Sequence, residues 1–161
     1  MTLCALSLGS NMGNRLENIR RAADLLENRA GKITARSEVY ETAPWGVISQ
    51  PRFLNACLLL ETGLPPYDLL AETQAAESEI GRVARERWGP REIDIDILTY
   101  GDILLNDERL VIPHPLMGRR AFVLVPMLDI ARDFVHPSCG TSIDELLAGT
   151  DREGIVRIVS L

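Results

Sequence analysis

The order in which hydrophobic periodicity changes along the chain restricts its fold more than any other feature. Residues 2–9, TLCALSLG, alternate and stop at a glycine, which predicts a strand. In NRLENIRRAADLLENR, Leu16, Ile19, Ala23 and Leu26 fall at helical spacing, Asn14 is placed to cap the start, and Gly31 ends the helix. KITARSEVYETAP predicts a second strand with Ile33, Ala35, Ser37 and Val39 on one face. RFLNACLLLET predicts a third strand, and PPYDLLAETQAAESEIGR, opening on prolines, a second helix. VARERWGPR breaks that helix as a charged loop, and EIDIDILTYG alternates again as a fourth strand. Strand, helix, strand, strand, helix, strand is the split βαβ or ferredoxin-like order. It predicts an α+β fold: a βαββαβ core whose antiparallel sheet carries both helices on one face.

The remaining segments are shorter and read as C-terminal additions. DILLNDERLVIPHP suggests short strands or turns, RRAFVLVPMLDIA a short apolar segment, SIDELLAG a small helix and GIVRIVS a final strand. PWGVISQP, residues 44–51, is a loop bounded by prolines. No repeat or linker-like stretch interrupts the chain, so residues 1–161 are expected to form one domain.

Charge and cysteine usage exclude several function classes. A net charge of −6 argues against non-specific nucleic-acid binding. Three cysteines (Cys4, Cys57, Cys139) without a CxxC argue against a disulfide framework or a thiolate metal site. The first residues lack the basic start of a signal peptide, and no apolar run approaches the ~20 residues of a membrane helix. The expectation is a soluble cytoplasmic protein.

The fourth strand raises the chemical question. Its alternation sends Ile93, Ile95 and Ile97 toward the helices and Glu92, Asp94 and Asp96 the other way. Asp94 and Asp96 then stand about 7 Å apart. One reading is a wet strand face, usual in antiparallel sheets. The other is a pair of carboxylates for Mg²⁺, which leaves coordination positions for water and phosphate. Arg82, Arg85, Arg87 and Arg91 crowd the residues just before them. Guanidinium forks suit phosphate, so a nucleoside triphosphate fits the second reading.

Other residues could complete such a site. His114 is aimed by the stiff prolines on either side, with Arg119 and Arg120 close behind. A structural role for it stays open beside a phosphate-facing one. His136 reads as a surface or turn residue. Phe53 and Asn55 share one strand face and could stack and hydrogen-bond a flat heterocycle, or belong to core and turn. Trp45 and Trp88 lie in loops, as lids or as packing. GSNMGNR lacks the lysine of a P-loop and reads as a strand-to-helix turn. A ligand-binding module without chemistry and a metal-dependent phosphodiesterase are the competing classes.

RWGPREIDIDIL, together with LGSNMGNR, SEVYETAPWG, QPRFLNAC and RLVIPHPLM in that order, resembles the 6-hydroxymethyl-7,8-dihydropterin pyrophosphokinase family over nearly the whole chain. The resemblance implies a ferredoxin-like αβα fold and transfer of pyrophosphate from ATP to the pterin hydroxymethyl group, leaving AMP, in folate biosynthesis. It implies two Mg²⁺ on Asp94 and Asp96. Phe53, Asn55, Trp88 and Phe122 would bind the pterin, with main chain from Thr42, Pro44 and Trp45. Glu77, Arg82, Arg91, His114 and Arg120 would form the ATP-binding and transition-state set, joined by Arg85 and Ile97. The loops 44–51 and 82–90 would close over the two small-molecule substrates, in a monomer. Phe53 stands where relatives often have tyrosine, Pro115 where some have a tyrosine that reaches phosphate, and Ala84 near an arginine of others.

Overall fold

The computed structural model describes residues 1–46 and 49–161. The core elements are β1 (Thr2–Ser10), α1 (Arg15–Arg29), β2 (Lys32–Arg36), β3 (Glu38–Thr42), β4 (Phe53–Thr62), α2 (Pro66–Ile80) and β5 (Asp94–Tyr100). They are followed by a short hairpin of β6 (Leu105–Asn106) and β7 (Val111–Ile112), a 3-10 turn at Met117–Arg119, α3 (Ala121–Ile130), α4 (Ile143–Ala148) and β8 (Val156–Ser160). The main sheet runs β5-β1-β4-β3-β8, with β2 also paired to β4, and these pairings are antiparallel. This is the expected ferredoxin-like core.

The second predicted strand is divided. β2 and β3 both pair with β4, and Ser37 stands between them. Its N–H donates to the Cys57 carbonyl (3.0 Å), while its hydroxyl accepts the Cys57 N–H (2.8 Å) and donates to the Glu38 carbonyl (2.7 Å). The hydroxyl takes the place of a main-chain acceptor in the ladder, which interrupts the strand without leaving the Cys57 donor unpaired.

The sheet separates two cores by strand parity. Cys4, Leu6 and Leu8 of β1, Leu54, Ala56, Leu58 and Leu60 of β4, and Ile95 and Ile97 of β5 meet α1 and α2 on one face. Ala5, Cys57 and Leu98 point to the other face and pack against α3, α4 and the 3-10 turn. The second face is therefore covered at one end only. Farther along the same strands, the outward residues are Ser7, Gly9, Phe53, Asn55, Asp94 and Asp96, which line a cleft.

The segment read only as short and apolar forms the full helix α3, despite Pro126 inside it. Val123, Leu124 and Met127 are buried against the sheet, and that packing outweighs the hydrogen bond lost at the proline. Asn14 caps α1 as expected by accepting the Glu17 N–H, and Ser142 with Glu145 forms a capping box on α4. After α1, the chain passes so close to β4 that a Cβ on Gly31 would lie 2.2 Å from the Glu61 carbonyl oxygen. Gly31→Ala is accordingly expected to cost about 1–3 kcal/mol, read as a lower midpoint in thermal or urea unfolding. Among the described residues, no helix is long and apolar enough to cross a membrane.

Candidate active site

The cleft holds about 360 Å³ and is lined by β1, β3, β4, α2, β5 and the segments around Trp45, Trp88 and His114. Its acidic floor comes from β5. Asp94 and Asp96 stand on the open face while Ile93, Ile95 and Ile97 are buried behind them. Asp96 keeps 30% side-chain exposure, yet that exposure is into a recess rather than bulk water. Burial and the charge of Asp94 push its carboxyl up to about 7. A cation would relieve the cost of ionising Asp96 beside Asp94. Asp94 and Asp96 are oxygen donors, and among the described residues no group of three or more His, Cys, Asp or Glu gathers at metal-binding spacing. The donor set fits a hard ion such as Mg²⁺ that completes its shell with phosphate and water.

Arginines surround the acids for local reasons. Gly81 ends α2 in the left-handed conformation (φ 108°), and both its N–H and that of Arg82 return to the Glu77 carbonyl. This turn folds Arg82 back, so that one guanidinium nitrogen meets Glu77 (2.7 Å) and Asp94 (2.9 Å). Burial opposes the Arg82 charge, but Asp94 and Glu77 outweigh it and hold its pKa up. Glu77 also accepts the Ile95 N–H (2.8 Å), tying α2 to β5. Burial raises its pKa against those partners. Arg91 reaches Asp94 at 3.2 Å.

His114 and Arg120 close the acidic end. The His114 N–H donates to the Leu98 carbonyl (2.9 Å), and Nδ1 accepts the Leu116 N–H (3.2 Å). In the neutral ring Nε2 therefore carries the proton, facing Asp96 at 3.7 Å. Burial and the neighbouring Arg120 lower the imidazole pKa to about 4. The His114–Asp96 approach is a contact of a neutral donor rather than an ion pair. Arg120 lies 3.9 Å from Asp96, with its guanidinium 4.7 Å from the Trp45 ring and 5.5 Å from Phe122. Among the described residues its buried Nε has no hydrogen-bond partner.

The opposite end suits a flat ring. Asn55 is buried beside Phe53, and its Nδ2 donates to the Thr42 hydroxyl (2.7 Å). A Cβ on Gly9 would stand 2.8 Å from the Asn55 Oδ1, so glycine there keeps the amide in place and the surface above it open. Trp45 and Trp88 meet edge to face at 5.2 Å. Trp88 holds φ 60°, uncommon for a non-glycine residue.

Residues 5–132 match the family model for 7,8-dihydro-6-hydroxymethylpterin-pyrophosphokinase. The chain belongs to that pyrophosphokinase family. A 2-amino-4-hydroxy-6-hydroxymethyldihydropteridine pyrophosphokinase of Methylorubrum extorquens is 44% identical, over 98% of this chain and 99% of that one. The enzyme of the same name from Pseudomonas aeruginosa is 45% identical, over 95% of this chain and 94% of its own. The crystal structure of wild-type Plasmodium falciparum HPPK-DHPS shares the fold at a TM-score of 0.71 and 18% identity. The match covers 91% of this chain and 44% of that longer one.

Most residues that the pyrophosphokinase resemblance singled out line this one cleft: Thr42, Trp45, Phe53, Asn55, Glu77, Arg82, Trp88, Arg91, Asp94, Asp96, His114, Arg120 and Phe122. Three do not. Ile97 is buried between sheet and helices and is outside the lining, although Ile95 belongs to it. Pro44 is outside the lining, although Ala43 and Trp45 belong to it. Arg85 lines a neighbouring hollow and forms two 2.8 Å bonds to Glu92. That pairing holds the Glu92 carboxyl down to about 2. Part of the loop 44–51, residues 47 and 48, lies outside the described residues. Leu70, Thr73 and Gln74 line the cleft without having been singled out. With Glu77 they fall at helical spacing on one stripe of α2, the signal that could have found them.

Proposed function

We propose that this chain transfers the pyrophosphate of ATP to 6-hydroxymethyl-7,8-dihydropterin, releasing AMP, in folate biosynthesis. The observation that carries this reading is a single cleft with paired carboxylates and guanidiniums at one end and an aromatic face with a buried amide at the other. Phe53, Trp45, Trp88 and Phe122 take the pterin plane, and Asn55 takes its hydrogen-bonding edge. Thr42 holds the Asn55 amide in orientation. Arg82, Arg91 and Arg120 bind the ATP phosphates, and neutral His114 donates from Nε2 to a phosphate oxygen. Asp94 and Asp96 hold Mg²⁺, two ions in our reading. When bound, these ions offset phosphate charge and favour attack by the acceptor hydroxyl.

The chain's own contribution is positioning and charge. The arginines turn from their carboxylate partners toward phosphate and match the charge that develops as the bond between the α and β phosphates lengthens. The acceptor hydroxyl is held near the β phosphorus by the ring contacts at the other end of the cleft. The tryptophan pair over the cleft limits water, the competing nucleophile. A monomer suffices, since one chain supplies every lining residue, and the setting is cytoplasmic with small-molecule substrates only.

Incubation with ATP and Mg²⁺, with and without the hydroxymethyl pterin, tests the reading. AMP is expected only with the acceptor; EDTA should stop its release and added Mg²⁺ restore it. AMP or ADP formed equally without acceptor would favour the hydrolase reading.

A further inference from the structure

Asn11 is 2% exposed and lies outside the cleft lining, in the turn just after β1. Its bonds reach both segments that border the site. On one side, Oδ1 accepts the Arg91 N–H (2.8 Å), and its own N–H donates to the Arg91 carbonyl (3.2 Å). On the other, Nδ2 donates to the Gln50 side-chain oxygen (2.9 Å) and the Pro51 carbonyl (3.0 Å). Gln50 then donates from Nε2 to the Trp88 carbonyl at 2.8 Å. A chain of amides thus runs from Arg91 through Asn11 and Gln50 to Trp88. Asn18 braces the same turn, donating to the Met12 and Glu92 carbonyls at 3.0 Å each.

The contact continues above the relay. A Cβ on Gly46 would meet the Trp88 ring at 2.8 Å, so Gly46 lets the two segments close tightly. Arg91, at the lower end, bonds Asp94. A fully paired buried carboxamide holds its neighbours in one geometry, because any slippage leaves a buried donor or acceptor unmet.

We infer that Asn11 is a positioning residue that locks the acceptor-side segment at Gln50 and Pro51 to the segment that runs from Trp88 to the phosphate-side Arg91. Gln50, which belongs to the acceptor side, thereby sets how well Arg91 is aimed at ATP. The inference rests on the pyrophosphokinase reading for the identity of the two ligands. It also supplies a job for the GSNMGNR segment, whose role in a P-loop its composition excludes.

The test measures affinity for an ATP analogue with a methylene between the α and β phosphorus atoms, in Mg²⁺, by calorimetry. Proteins compared are wild type, Gln50→Ala, Asn11→Ala and the double variant, each with its melting temperature. Gln50→Ala is expected to weaken the analogue about fivefold, the weight of one neutral hydrogen bond. The double variant should be no weaker than Asn11→Ala, because both act along one relay. If Asn11→Ala fails to fold, Gln50→Ala alone decides: its side chain is not in the protein interior, and unchanged analogue affinity overturns the inference. Additive losses in the double variant overturn it as well. Turnover plays no part in this readout. Failure of the pyrophosphokinase reading shows separately, as wild-type protein that releases no AMP with both substrates.

Discussion

Asp96→Asn is expected to lower kcat by at least about 10²-fold while the protein still folds, because it removes a carboxylate proposed to hold the cation that offsets phosphate charge. The same substitution should leave the metal-free protein as stable as wild type or more so. Burial and Asp94 hold the Asp96 carboxyl up to about 7, above its ordinary value, so the folded state disfavours its ionised form. Its contribution to stability is then present below the ordinary carboxylate pKa and lost as pH rises through the folded value. The melting temperature of Asp96→Asn should therefore gain on that of wild type between about pH 4 and about pH 7 without metal. Added Mg²⁺ should close the gap by stabilising wild type alone. Scanning fluorimetry across that range, paired with AMP release, checks both parts. A variant with near-normal turnover would remove Asp96 from the metal site.

Asn55→Leu is expected to raise the KM for the pterin by about 10²-fold, since the proposed hydrogen bonding of its amide to the heterocycle edge is lost and that edge is left unpaired. Leucine keeps the branching at Cγ but cannot pair with Thr42, whose hydroxyl bonds Asn55 at 2.7 Å. A stability loss of about 1–3 kcal/mol should accompany it. The KM for ATP should stay within about threefold, because the arginines at the far end are independent of this amide. Steady-state kinetics with each substrate varied in turn separates the two ends. A comparable rise in both KM values would mean that Asn55 organises the whole cleft rather than the ring end.

Strand parity made much of the site legible. The alternation in EIDIDIL places the isoleucines in the core and both aspartates in the cleft, and the same parity brings Phe53 and Asn55 to that face. The same parity packs the Ile97 side chain into the core. Arg85 could not be placed by composition. Arginines crowd that loop, and only the tertiary pairing with Glu92 decides which one is spent on a neighbouring carboxylate. Helix α3 was hidden by Pro126, since the packing of Val123, Leu124 and Met127 that outweighs the proline is not a local property. The division of the second strand depends on one hydroxyl bonding across to Cys57. Asn11 reads as a turn residue because a turn motif reports local geometry, and Asn18 falls within the predicted first helix. Their bonds to Gln50, Arg91 and Glu92 join segments far apart in sequence.

In the proposed reaction, one cleft moves the β and γ phosphates of ATP together onto the pterin. Following ATP labelled at the β phosphorus through a reaction with Mg²⁺ and 6-hydroxymethyl-7,8-dihydropterin tests it most directly. The label is expected in the pterin product, with one AMP formed for each pterin consumed. Label recovered in ADP or in free phosphate, with the pterin unchanged, would contradict it.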